Sequence, residues 1–144
     1  MSKIKVNDKS VLELATEIAE NMYDIASDFP PDEDWRTAGK LRNAASDLLF
    51  YVAQGVGDID SSTSQHEWRF AHKQVSALKI TYKFSAKQGF TEINPDIMVK
   101  LDDLSENIQK EFKRSEKQKD AEAEKDLKPW LKKYELWKEM QNES

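Results

Sequence analysis

From Ser10 to Phe29 the chain repeats apolar residues at helical spacing: Val11, Leu14 or Ala15, Ile18, Met22, Ile25 and Phe29. A period near 3.6 predicts an amphipathic helix. Ser10 with Glu13 three places on forms a capping-box pattern at its start. The prolines of "FPPDED" end it, because they lack an amide donor and restrict the residue before them.

The same spacing returns in Leu41, Ala44, Ala45, Leu48, Leu49 and Val52, which predicts a second helix from about Asp34 to Gln54. Gly55 and Gly57 offer backbone freedom near its end. The polar "DIDSSTS" reads as a connector, with Ser62 or Ser64 capping the next helix. That third helix, about Gln65 to Gln88, buries Ala71, Val75, Leu78 and Tyr82 and stops at Gly89. Pro95 suits the first turn of a fourth helix. Its apolar stripe is Ile97, Leu101, Leu104, Ile108 and Phe112.

Four helices with short links fold most economically as an all-α, antiparallel up-and-down bundle over residues 10–112. Residues 113–126, "KRSEKQKDAEAEKD", contain no large apolar side chain, so they either extend helix four or form a charged linker. Residues 127–142 regain hydrophobicity as an additional short C-terminal amphipathic helix. Trp130, Tyr134 and Trp137 share its apolar side, which either packs on the bundle or captures a protein partner.

Composition narrows the function. The 144 residues include no cysteine and only four Gly and four Pro, and 34% are charged. Disulfides and thiolate chemistry are excluded. No window approaches 18 continuous apolar residues, so no membrane is expected as a partner. The opening "MSKIKVNDKS" lacks an apolar region of signal-peptide length, and the expectation is a cytoplasmic protein.

Signals of catalysis are lacking. His66 and His72 are six residues apart, not the i,i+4 pair of a zinc-binding helix, and no HExxH occurs. Asp102 and Asp103 are adjacent and so do not share one helix face. "QGVGD" is not a phosphate-binding loop, and no nucleophile elbow or inward-facing di-iron ligand set is present. We expect no enzyme, no catalytic residue, no metal and no cofactor.

Charge, in contrast, is unevenly placed. Between Ser10 and Trp35 there are eight acidic residues and no lysine or arginine. On helix three, placed at about 100° per residue, Arg69, Lys73, Lys79, Lys83 and Lys87 fall within an arc of about 120°. Two readings are open: a solvated face balanced by the acidic first helix, or a phosphate-contacting surface helped by His66 and His72. Ile80 lies inside this arc and is a candidate contact to another subunit. Trp35, Phe50, Tyr51, Trp68 and Phe84 either fill helix and subunit interfaces or stack on bases.

The stretch "FPPDEDWRTAGKLRNAASDLLFYVAQGVGD", Phe29 to Asp58, resembles the four-helix bundle family associated with 23S ribosomal RNA intervening sequences. That family includes the accessory variability determinant of diversity-generating retroelements. The resemblance rests on "FP", "LRNAA" and "AQG", continues through "SQHEWRFAHKQVSALKITYKFSAKQGF", and covers about residues 10–112. It implies a non-enzymatic homo-oligomer, a pentamer in known members, that contacts RNA or DNA and a reverse transcriptase. The nucleic-acid-binding residues it implies are Arg36, Lys40, Arg42, Arg69, Lys73, Lys79, Lys83 and Lys87. Leu41, Ala44, Ala45 and Leu48 match the family's packing segment. Gln54 and Lys79 stand where the family commonly has acidic residues. Residues 10–112 carry ten Lys and Arg against eighteen Asp and Glu, a net of −8, where retroelement accessories are generally basic.

The expected function is therefore an oligomeric accessory in nucleic-acid processing. The alternative is a protein–protein adaptor, with Ile80, Trp130, Tyr134 and Trp137 as partner-binding residues.

Overall fold

The computed structural model describes residues 9–57 and 61–142, the side chains of 61–63 excepted. It is all-helical, with no strand among the described residues. The helices are α1 (Val11–Ser27), α2 (Thr37–Gly57), α3 (Ser61–Lys87) and α4 (Pro95–Asn142), with a 3-10 turn at Pro31–Glu33.

Local chemistry sets most of the boundaries. Ser10 Oγ accepts the Glu13 amide at 3.0 Å at the start of α1. The prolines after Phe29 are absorbed in the 3-10 turn, so α2 begins at Thr37 rather than near Asp34. At the end of α3 the Gly89 amide donates to Ala86 O and the Phe90 amide to Ser85 O. Gly89 has φ +83°. This pair of bonds closes a Schellman motif, whose left-handed position glycine adopts without a Cβ penalty. Asn94 Oδ1 accepts the Asp96 amide at 2.9 Å, and Pro95 opens α4.

The connector is shorter than the sequence pattern suggests. Residues 58–60 lie outside the described residues, and α3 already runs from Ser61, which adds a turn before Gln65. Ser64 is therefore not a cap. It is buried inside α3 and shares a 3.2 Å hydrogen bond with Ser115 of α4. Ser62 also falls within α3, but its side chain is outside the description.

The four helices share one core. Leu14, Ile18 and Met22 of α1 meet Leu41, Leu48 and Val52 of α2, Val75, Leu78 and Tyr82 of α3, and Leu101, Leu104 and Ile108 of α4. Val11, Ile25, Ala44, Leu49 and Phe112, expected in the apolar stripes, are partly buried at its margin. Each helix packs on its chain neighbour, and α1 also packs on α4. Cross-helix bonds between α3 and α4 pair Ser64 with Ser115, His72 with Gln109, and Lys79 with Asp102. Partner numbers fall along α4 as they rise along α3.

One expectation is corrected here. Residues 127–142 are not a separate helix but the distal third of α4, which runs unbroken through 113–126 and Pro129. The last buried residue of α4 is Ser115, and every described residue from 116 to 142 is exposed. At about 1.5 Å per residue this projection extends roughly 40 Å from the bundle. It does not fold back onto its own core.

Candidate nucleic-acid interface

The basic residues of α3 lie outside its core face, but they do not form one uniform surface. Lys79 Nζ contacts Asp102 Oδ1 of α4 at 2.5 Å, and its side chain is mostly covered. Its charge is locally answered. Arg42, on α2, is held by its own helix entry: its guanidinium is 2.7 Å from Asp34 O and 3.2 Å from Asp34 Oδ1. Both are poorer phosphate ligands than the sequence alone implies, because a paired cation must first give up its partner.

The remaining cations separate into two stations. Arg69 and Lys73 occupy the first half of α3. The Arg69 guanidinium carbon sits 5.7 Å from the Phe112 ring centre, and Lys73 Nζ sits 5.5 Å from that of Phe70. Lys83 and Lys87 are exposed on the last turns of the same helix, about 27 Å from Arg69 at Lys87. Near them, Arg36 in the turn before α2 and Lys40 in its first turn line a cavity of about 450 Å³ together with Glu33, Trp35, Phe84, Gln88 and Phe90. Among the described residues, Arg36, Lys40, Lys83 and Lys87 form no ion pair.

Apolar residues run between these stations. Phe70, Ala77, Ile80 and Phe84 share the α3 face opposite the core, and Ile80 is 69% exposed. Phe70 stacks on Tyr51 of α2 at 5.3 Å, and Tyr51 meets Phe50 edge-on at 5.5 Å. Of the five aromatics singled out from sequence, only Trp68 is buried; Trp35 is 92% exposed. Several large apolar side chains exposed on one helix face mark a candidate interaction surface.

Trp130, Tyr134 and Trp137 are not part of this surface. They lie on the α4 projection, where the Tyr134 and Trp137 rings stack at 6.2 Å and Lys138 Nζ lies 5.8 Å over Tyr134.

Two features escaped the sequence reading. Glu17 of α1 pairs with both Lys9 and Lys100, the latter at 2.6 Å, and links α1 to α4. Hydrogen bonds from Lys100 first and Lys9 second hold its carboxyl below the usual carboxylate range, against the opposing effect of burial. Gln109 places its amide nitrogen 3.1 Å from His72 Nε2. Neither the Glu17–Lys100 nor the His72–Gln109 contact has a signal within one helix, since each joins residues far apart in sequence.

His66 and His72 stand apart from any ligand set: no cluster of three or more His, Cys, Asp or Glu suited to a metal ion occurs among the described residues. No helix among them is long and apolar enough to cross a membrane. No protein-family model matches the chain, and no curated protein matches it.

Proposed function

We propose that this chain is a non-enzymatic, oligomeric accessory of nucleic-acid processing in the cytoplasm, built as an antiparallel up-and-down four-helix bundle. It resembles the ribosomal intervening-sequence and retroelement accessory family, whose partners are RNA or DNA and a reverse transcriptase. The observation that carries the reading is the outward face of α3. There apolar residues (Phe70, Ala77, Ile80 and Phe84) are exposed beside Lys73, Lys83 and Lys87, which form no ion pair among the described residues, whereas Lys79 is paired with Asp102. This face associates copies of the chain into a homo-oligomer, a pentamer as in known members of the family it resembles. Lys73, Lys83 and Lys87, with Arg36 and Lys40, then repeat around the assembly. Repetition turns a few charges into a field able to hold phosphates despite the net charge of −5.

Binding of RNA and duplex DNA, measured against salt with the mass determined in the same buffer, tests this. Phosphate recognition weakens steeply as salt rises, with a slope near −0.9 per phosphate contact on duplex DNA. Changing Lys73, Lys83 and Lys87 to Glu abolishes binding, while Lys79→Ala, whose charge Asp102 already answers, changes it little. An intact oligomer that binds neither nucleic acid at low salt removes the reading.

The α4 projection favours a second reading, a protein adaptor. Trp130 is 74% exposed and Trp137 56%. Large aromatics on a free helix suit capture in a partner's groove. Such binding resists salt and is lost in Trp130→Ala and Trp137→Ala but not in the lysine variants.

A further inference from the structure

Two turns before Lys79 on α3, a cavity of about 250 Å³ opens between α3 and α4. Its wall is almost wholly apolar, with Trp68, Ile108 and Phe112 among the lining residues, and Arg69, His72, Lys73 and Gln109 border it. No carboxylate is among the residues that line it. Arg69 and Lys73 are held against aromatic rings, and among the described residues neither forms an ion pair.

From this combination we infer that the α3–α4 cleft takes one unpaired nucleotide of a single-stranded nucleic acid. The inference rests on the nucleic-acid reading above and adds to it which form of nucleic acid is bound, and where. An apolar slot is of no use to a duplex backbone, which presents only phosphate and sugar. An unpaired base, by contrast, offers a flat apolar face, a hydrogen-bonding edge and an adjoining anion. Single-stranded strands are recognised by stacking on aromatic rings and guanidinium planes and by hydrogen bonds to base edges.

Each group has a part in this. The base enters against the Phe112 ring, which Arg69 now covers at 5.7 Å. The guanidinium either stacks on the base's outer face or swings to its phosphate. Lys73 lies one helical turn further along and takes the adjacent phosphate. Gln109, with one amide N–H directed to His72, keeps a second N–H and its carbonyl oxygen for the base edge. The cavity lies below the roughly 300–1,000 Å³ of drug-sized pockets, a scale that suits one base and not a larger ligand.

The test uses the full chain and three probes: a single-stranded RNA of about twelve nucleotides, the same sequence as a duplex, and AMP. Gln109→Ala changes an exposed residue. Phe112→Leu removes the ring but keeps most of the packing volume, so folding survives. The single strand should bind more tightly than the duplex. Each substitution should weaken only the single-strand complex, Phe112→Leu by roughly 5- to 150-fold, the range for one stacked base. Equal binding of single strand and duplex, unchanged in both variants, overturns the cleft assignment and leaves the nucleic-acid reading standing. AMP bound as tightly as the oligonucleotide overturns the assignment to a strand. If no nucleic acid binds at low salt, both readings fall together.

Discussion

Gly55 of α2 lies against the indole of Trp68 of α3 so closely that a Cβ at position 55 would meet Trp68 Cε2 at 2.8 Å. Trp68 is only 2% exposed and belongs to the core, so it has little room to retreat. Glycine here is needed for the approach of two helices, not for an unusual backbone angle.

Gly55→Ala should therefore destabilise the protein. Overpacking costs about 1–3 kcal/mol, and the better helix propensity of alanine returns about 1 kcal/mol. Gly57, two residues on, has nothing within 4 Å of its would-be Cβ. Gly57→Ala should instead stabilise by about 0.4–1 kcal/mol. Urea unfolding of both variants checks the opposite signs; equal shifts would show that Trp68 yields freely.

Tyr82 ties the end of α3 to the start of α4. Its buried hydroxyl accepts the Asn94 amide at 2.8 Å and donates to Glu92 O at 3.3 Å. Tyr82→Phe keeps the ring but strands that amide, and a loss of about 1–3 kcal/mol is expected. Hydrogen exchange at Asn94 should accelerate in the variant. An unchanged unfolding midpoint would mean water replaces the hydroxyl at no cost.

Glu17 makes stability depend on pH. Its folded pKa is lowered, by the Lys100 hydrogen bond first and the Lys9 bond second. The stabilisation is thus present above the ordinary carboxylate range and disappears as pH falls through the lowered folded value. Glu17→Gln should be less stable than the parent near neutrality, and the gap should close in acid. With the side chain 30% exposed, solvent keeps the effect modest. A gap that stays constant with pH would contradict the pairing.

The exposed apolar residues on α3 should control association. Ile80→Glu combined with Phe84→Glu places two charges where apolar side chains, 69% and 50% exposed, now face outward. The helical circular dichroism should be retained, since neither residue belongs to the core. Light scattering should show the mass falling to that of one chain, about 16.7 kDa. An oligomer that survives both charges uses another face.

Removing residues 127–142 should leave the fold intact. All of them are exposed where described, and surface changes away from core contacts usually stay within about 0.5 kcal/mol. Thermal unfolding of the shortened chain checks this. A large drop would show that the projection packs on a neighbouring copy.

Much of the fold was legible along the chain because helical periodicity is a local property. Leu14, Ile18, Leu41, Leu48, Val75, Leu78, Leu101 and Ile108 are spaced by the helix repeat, and all are buried. Ser10, Gly89 and Pro95 act within one turn of their own positions, and they mark helix ends as their chemistry predicts. The exposed state of Ile80 was legible for the same reason. Less visible was where "DIDSSTS" ends and α3 starts, since Ser64 is a good cap by type. Its burial against Ser115 depends on a residue 51 positions away.

The candidate site was decided almost wholly by tertiary structure. The sequence alone placed Arg69, Lys73, Lys79, Lys83 and Lys87 on one side of a helix, because angle follows from position. It left their electrostatic state undetermined. Whether Lys79 is answered by Asp102, or Arg69 lies over Phe112, depends on how α3 and α4 register against each other. The continuation of α4 through Pro129 is likewise beyond local propensity, which disfavours proline inside a helix. Period and caps are set within a few residues. Charge neutralisation, close glycine contacts and clefts between helices exist only once distant segments meet.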